Sequence, residues 1–108
     1  MLSTHVLDTS QGTAAAGVDV TLYRMGPERI ELARAATDVD GRIAAPFGGR
    51  LGGGWYELVF AVGAYFAGAG RETFYDHIAV RFRIDADERG YHVPLLIAPW
   101  GYSTYRGS

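Results

Sequence analysis

Apolar and polar residues alternate along most of this chain, with a repeat of two residues. The stretch 17–24 shows the repeat most clearly, because its apolar and polar side chains fall on opposite faces. The two sets are Val18, Val20 and Leu22 against Asp19, Thr21 and Tyr23. A second stretch, 77–84, sets Ile78, Val80, Phe82 and Ile84 against His77, Ala79, Arg81 and Arg83. This period is typical of a β-strand that buries one of its faces.

Turn residues divide the chain into about eight such strands. The predicted strands are 2–8, 17–24, 30–37, 42–45, 55–62, 77–84, 91–98 and 101–106. Residues 38–41 form the tight-turn sequence Asp-Val-Asp-Gly, and 46–54 is a glycine-rich loop. A short helical turn is expected within 63–70, and a further turn at 85–90. Short strands at this spacing predict an all-β sandwich, folded as a single domain over residues 1–108.

Composition narrows the range of functions. None of the 108 residues is cysteine, which excludes a disulfide framework and a thiol nucleophile. All 10 basic residues are arginine, so lysine Schiff-base chemistry is excluded as well. The net charge of -2 argues against nucleic acid as a partner. The sequence shows neither a basic-then-apolar leader nor an apolar run of membrane-spanning length, so we expect a cytoplasmic protein that does not enter a membrane.

Two histidines in predicted strands are the candidate acid–base groups. By strand parity, His92 lies on the face opposite the apolar set Val93, Leu95 and Ile97, and therefore points away from the core. If the first strand and the last two belong to one sheet, His5, His92 and Tyr105 converge on one outer surface. The ordinary pKa of an imidazole lies near neutral pH, so it can take a proton from water and return one. His77, in contrast, is expected to be an ordinary surface residue.

A metal site is not expected. Three histidines and several carboxylates are present, but none has the His-x-x-x-His or similar spacing of zinc ligands. The pattern therefore favours an organic acid–base site that uses neither a metal nor a cofactor.

Three segments resemble the signatures of one known family. They are Ser3–Thr9 (Ser-Thr-His-Val-Leu-Asp-Thr), Ala36–Arg42 (Ala-Thr-Asp-Val-Asp-Gly-Arg) and Tyr91–Ser108, which ends in Tyr-Arg-Gly-Ser. In order and spacing they are similar to the 5-hydroxyisourate hydrolases, the transthyretin-related enzymes of urate breakdown. One departure is Ala98, where members of that family more often carry serine.

The resemblance implies a fold, an assembly and a reaction. The fold is a transthyretin-like sandwich of two four-stranded sheets with one short helix, assembled as a homotetramer (a dimer of dimers) with active sites in the groove between the dimers. The reaction is hydrolysis of a ring amide in 5-hydroxyisourate. The implied catalytic residues are His5, Arg42 and His92, and the implied substrate-binding residues are Tyr105, Arg106, Gly107 and Ser108. Which histidine is the base stays open, as does whether Ser108 uses its hydroxyl or a terminal carboxylate.

Two other functions are compatible with the same fold. A transthyretin-like carrier would bind a small aromatic ligand between dimers, but it lacks the two histidines and the C-terminal tetrad. A prealbumin-like adhesin module, suggested by 17–22 followed by 37–42, commonly carries a Lys–Asn crosslink. This chain contains neither lysine nor asparagine, so the sequence favours the enzyme.

Overall fold

The chain folds into two β-sheets packed face to face, in a computed structural model that describes residues 1–85 and 90–108. The elements in chain order are β1 (Leu2–Asp8), β2 (Thr13–Ala14), β3 (Asp19–Arg24), β4 (Ile30–Ala36), β5 (Arg42–Ile43), β6 (Gly54–Phe60), α1 (Val62–Gly68), β7 (Ile78–Ile84), β8 (Tyr91–Ala98) and β9 (Gly101–Thr104). This architecture confirms the predicted all-β sandwich with one short helix. No helix in the described part of the chain is long and apolar enough to cross a membrane.

Pairing between strands sets which residues become neighbours. Sheet A has the order β2-β1-β8-β9, and β5 also pairs with β1. Sheet B has the order β4-β3-β6-β7. The pair β1 and β8 is parallel, whereas the other pairs are antiparallel. The parallel pair aligns residues 2–8 with 91–97 one by one, which places two segments that are distant in sequence side by side.

The core lies between the two sheets and takes alternate residues from the main strands. Val20 and Leu22 of β3 and Val6 of β1 are fully buried, as is Leu95 of β8. Because side chains alternate along a strand, the residues between these lie on the outer faces. His5 and His92 belong to the outer face of sheet A, as parity predicts, and both are half-buried.

A polar cluster ties the helix region to the end of β1. The buried Asp8 carboxylate accepts hydrogen bonds from the Tyr65 hydroxyl at 3.0 Å and from Arg71 at 3.2 Å. Ser10 donates to it as well, through its backbone N–H and its hydroxyl. Burial raises the pKa of Asp8, but the bonds from Ser10 and Tyr65 and the charge of Arg71 outweigh it and hold the pKa below its ordinary value.

Some details differ from the sequence prediction. Sheet A has five strands rather than four, because the two-residue strand β2 pairs with Leu7 and Asp8; it is too short to show an alternation pattern. The last strand was predicted to reach Arg106 and ends at Thr104. The turn predicted at 85–90 falls mainly on 86–89, outside the described residues.

Candidate active site

His5 and Arg42 face each other across neighbouring strands of sheet A. The antiparallel register of β1 and β5 pairs His5 directly with Arg42. Directly opposed residues have Cβ atoms about 5 Å apart, so their side chains share one patch of the outer face. Arg42 is exposed, and its guanidinium has no ion-pair or hydrogen-bond partner within residues 1–85 and 90–108. The patch therefore carries a positive charge that the described residues do not neutralise.

A tight turn just before β5 holds Arg42 in place. The Asp38 carboxylate accepts hydrogen bonds from the backbone N–H groups of Asp40 and Arg42, both at 2.9 Å. Gly41 closes the turn at a φ of 75°, a conformation that disfavours other residues. A Cβ at Gly41 would also overlap the carbonyl oxygen of Val6. The predicted Asp-Gly turn is confirmed, and it requires glycine for two separate reasons.

The same turn fixes the ring of His5. Nε2 of His5 lies 2.9 Å from the backbone carbonyl oxygen of Asp40. A carbonyl oxygen only accepts, so Nε2 carries the hydrogen of this bond. In the neutral ring the lone pair is then on Nδ1.

His92 is held from two sides. In the parallel ladder it pairs with Ser3, and its Nδ1 lies 2.8 Å from the Ser3 hydroxyl oxygen. Gly107 donates its backbone N–H to the His92 carbonyl at 2.7 Å. A Cβ at Gly107 would lie 2.5 Å from Cδ2 of His92, so the glycine backbone packs directly on the imidazole. These contacts leave Nε2 as the ring nitrogen without a partner in the described part of the chain.

Burial and the neighbouring charges keep His92 neutral. Burial lowers the pKa of His92 below its ordinary value of 6.5, and the nearby charges of Arg42 and His5 lower it further. A hydrogen bond with the backbone of Ser3 acts in the opposite direction and is the smallest of these causes. Both dominant causes penalise the imidazolium, so the ring is neutral at pH 7. A neutral imidazole can accept a proton.

The residues of the C-terminal tetrad line two neighbouring depressions beside β8. Gly107 contacts His92, and Ser108 lies beside it in a shallow depression with Gly90. Arg106 lines the same depression, and its guanidinium carbon lies 4.6 Å from the centre of the Tyr91 ring. Tyr105 and Arg106 line a cavity of about 140 Å³ that is open at the edge of the sandwich. Its other walls are Val80, Phe82 and Arg83 of β7, residues 91–93 of β8, and Thr104.

The structure thus brings together His5, Arg42, His92 and Gly107, and Tyr105 lines one cavity with His92. Strand parity predicts Tyr105 on the face of His5; because β9 ends at Thr104, alternation does not decide this placement and it stays a prediction. His77 lies apart, more than half exposed, with Nδ1 3.2 Å from the Asp76 carboxylate. No group of three histidine or acidic side chains within the described ranges is placed to hold a metal ion.

Sequence reasoning missed three supporting groups: the Ser3 hydroxyl, the Asp38 carboxylate and the Asp40 carbonyl. Ser3 has the same parity as His5, which was a usable signal. Its partner was not visible, because the two residues that bond are 89 positions apart. Only the register of the parallel pair shows which side chain faces His92.

Comparisons with known proteins agree on one family. The sequence model of the HIUase/Transthyretin family matches residues 2–107. A 5-hydroxyisourate hydrolase of Mesorhizobium japonicum is 49% identical, over 99% of this chain and 91% of that protein. One from Deinococcus radiodurans is 48% identical, over 99% and 95%.

Solved structures show the same likeness. The structure of Klebsiella pneumoniae 5-hydroxyisourate hydrolase has a TM-score of 0.88 and 47% identity, over 99% of this chain and 98% of that one. Transthyretin from Sparus aurata has a TM-score of 0.89 at 24% identity, over 98% and 95% of the two chains. The second likeness shows the fold alone.

Proposed function

Because this chain belongs to the HIUase/Transthyretin family, whose model spans residues 2–107, we propose that it hydrolyses 5-hydroxyisourate by opening the ring amide. Relatives that are nearly half identical along almost the whole chain carry the name 5-hydroxyisourate hydrolase. These relatives do not favour the alternative of a carrier without activity. The cytoplasmic location expected from the sequence stays a prediction.

One observation supports this function above the others. Two imidazoles and an arginine without a partner in the described chain lie on three adjoining strands, β1, β5 and β8, on the outer face of sheet A. Amide hydrolysis needs a base for water, an acid for the leaving nitrogen, and a donor for the developing oxyanion. His5, His92 and Arg42 supply groups of these kinds.

The proposed reaction begins at His92. Its neutral ring takes a proton from water as the water oxygen attacks the carbonyl carbon of the ring amide. Negative charge develops on the carbonyl oxygen, where the guanidinium of Arg42 stabilises it. The imidazolium then returns the proton to the leaving ring nitrogen as the carbon–nitrogen bond breaks. His5, held through Nε2 by the Asp40 carbonyl, presents Nδ1 to the same patch.

The C-terminal tetrad is proposed to bind substrate. Gly107 packs on the ring of His92, so a substrate bound beside His92 would lie next to this segment. Ser108 follows directly, and Tyr105 and Arg106 close the neighbouring cavity. We assign the four residues to substrate binding, with Arg106 and Ser108 as the polar groups.

The proposed assembly is a homotetramer, a dimer of dimers. β7 and β9 are edge strands of sheets B and A, and each leaves one row of backbone groups free for pairing with a second copy. Large aromatic side chains are exposed near β9, with Trp100 at 69% and Phe74 at 71% exposure. Light scattering at micromolar concentration should give the mass of four chains, and a monomer mass would contradict this assembly.

The direct test is to follow freshly made 5-hydroxyisourate by its ultraviolet absorbance, with and without the protein. We expect decay much faster than the spontaneous reaction. No acceleration over the spontaneous decay would overturn the proposed function. Dialysis against a strong chelator should leave the rate unchanged, and a loss that zinc restores would show that a metal takes part.

A further inference from the structure

We propose that Ser3 is a positioning residue for His92. Its hydroxyl oxygen accepts the hydrogen on Nδ1 of the imidazole, and so fixes the ring with its lone pair on Nε2. The proposal deepens the proposed hydrolase function and rests on it, because a lone pair on Nε2 is what a base at this position requires.

The contact between the two side chains is direct and in register. Ser3 and His92 are paired residues of the parallel ladder, and the Ser3 hydroxyl oxygen lies 2.8 Å from Nδ1. One residue along, Thr4 on the core face donates its hydroxyl to the Val93 carbonyl at 2.6 Å. This buried bond is one of several interactions between β1 and β8, whose register is set by the pairing of residues 2–8 with 91–97. A slip by one residue would turn the Ser3 side chain to the other face and separate it from His92.

Gly107 packs closely against the ring of His92. Its backbone lies so close that a Cβ there would be 2.5 Å from Cδ2 and 3.1 Å from Cγ of His92. A half-turn of the ring would exchange the places of Nδ1 and Cδ2 and would lose the bond to Ser3. The close packing of the glycine backbone limits the space around the ring, and the bond to the Ser3 hydroxyl selects one of its two orientations.

The rings of His5 and His92 differ in the kind of partner that each has, and this difference supports a hydrogen on Nδ1 of His92. Nε2 of His5 donates to a backbone carbonyl, which can only accept a hydrogen bond. The lone pair of the neutral His5 ring is therefore on Nδ1. His92 has its Nδ1 on a hydroxyl, which can accept or donate. The low pKa of His92 keeps the ring neutral, with a single N–H. If the hydrogen were on Nε2 of His92, which has no partner among the described residues, Nε2 would be a donor and could not act as the base.

The test compares Ser3→Ala, Ser3→Thr and Thr4→Val with the wild-type protein. Nitrogen NMR of the histidine rings should show the hydrogen of His92 on Nδ1 in the wild type. In Ser3→Ala we expect a mixture of both tautomers and a kcat about tenfold lower, as for loss of one hydrogen bond, with KM changed less than about twofold. Ser3→Thr keeps the hydroxyl and should keep both the tautomer and kcat.

Thr4→Val is the matched control, because it removes the neighbouring bond between the same two strands on the core side. It should lower the unfolding midpoint while leaving the His92 tautomer and kcat unchanged. Wild-type His92 with its hydrogen on Nε2, or Ser3→Ala with wild-type tautomer and kcat, would overturn the proposal. If the wild type does not hydrolyse 5-hydroxyisourate, the proposed function fails on its own account, and the NMR spectrum still decides whether Ser3 sets the ring.

Discussion

The outer faces of the two sheets carry similar side chains in opposite states of pairing. On sheet B, Glu57 is 8% exposed and lies between two arginines, at 3.5 Å from Arg29 and 3.3 Å from Arg81. Arg29 also stacks on the ring of Tyr23 at 3.8 Å. Each of these three charged side chains therefore has a partner of opposite charge inside the chain.

On sheet A, Arg42 has no such acidic partner among the described residues and lies beside two imidazoles. Burial lowers the pKa of His92 most, and the uncompensated charge of Arg42 lowers it further by disfavouring the imidazolium. The difference teaches that the presence of an arginine does not identify a site on this fold; what distinguishes Arg42 is an uncompensated charge beside two imidazoles. Perturbed ionisation beside such a charge is typical of functional sites.

The largest expected effect comes from the histidines of sheet A. His92→Ala and His5→Ala should each lower the hydrolysis rate by about a hundredfold to ten-thousandfold, because each removes a group that moves a proton. The double variant should lose less than the product of the two losses, since groups acting on one proton transfer behave as a unit. The rates are measured by ultraviolet absorbance. His77→Ala is the control and should change the rate less than about twofold; a comparable loss there would remove the distinction between the histidines.

Arg42→Gln tests the uncompensated charge itself. We expect a rate about a hundredfold to a thousandfold lower, as for loss of one donor to the oxyanion. The pKa of His92 should rise toward its ordinary value, because the cation that disfavours the imidazolium is gone. The acidic limb of the pH–rate profile should then move to higher pH, which NMR titration of His92 can confirm.

Arg81→Gln, on sheet B, is the matched control for the arginine. It removes one partner of Glu57 and leaves Arg29 in place, so the rate and the His92 titration should not change. A shift of the acidic limb in Arg81→Gln equal to that in Arg42→Gln would show that the effect is one of overall charge.

Removal of residues 105–108 separates a substrate-binding segment from an ordinary chain end. The rate should fall about a hundredfold, which corresponds to about 3 kcal/mol of transition-state stabilisation. The β-rich circular dichroism spectrum should remain, because β9 ends before this segment at Thr104. A truncated protein that remains a tetramer with full activity would refute the assignment of these four residues. Gly107→Ala is a point variant of the same region and should also be impaired, since its methyl group would overlap the ring of His92.

The smallest effect should come from the compensated face. Glu57→Gln weakens two ion pairs whose arginines are 50% and 58% exposed, so solvent already screens much of their attraction. We expect about 1 kcal/mol or less of lost stability by urea unfolding, and no change in rate. A loss of activity in this variant would mean that sheet B contributes to the site.

Sequence reasoning succeeded where a property repeats along one strand. Alternation identified the buried face of β3 and the outward direction of His5 and His92, because both depend only on local parity. It failed for β2, whose two residues become a strand only by pairing with β1. For Tyr105 alternation decides nothing, because β9 ends at Thr104 and the pattern cannot show where a strand ends.

The site was predictable to a similar degree. The motifs named His5, Arg42 and His92, and their meeting on one face follows from the register of β1 with β5 and β8. The groups that orient the two rings were not predictable, since every residue has a backbone carbonyl and hydroxyl side chains occur at many positions. Which of them lies within 3 Å of an imidazole is a property of the assembled sheet.

The parallel pairing of β1 with β8 also determines when a folding chain becomes an enzyme. The contact between Ser3 and His92 closes a loop of 89 residues. The chain entropy that is lost on closing this loop must be offset by non-local contacts, which form late in folding. Sheet B can pair its neighbouring strands before that loop closes, but a molecule at that stage has His5 and His92 far apart. In a refolding experiment the return of catalysis should therefore lag behind the return of β structure. The delay between the two signals would then report the time that β8 needs to pair with β1.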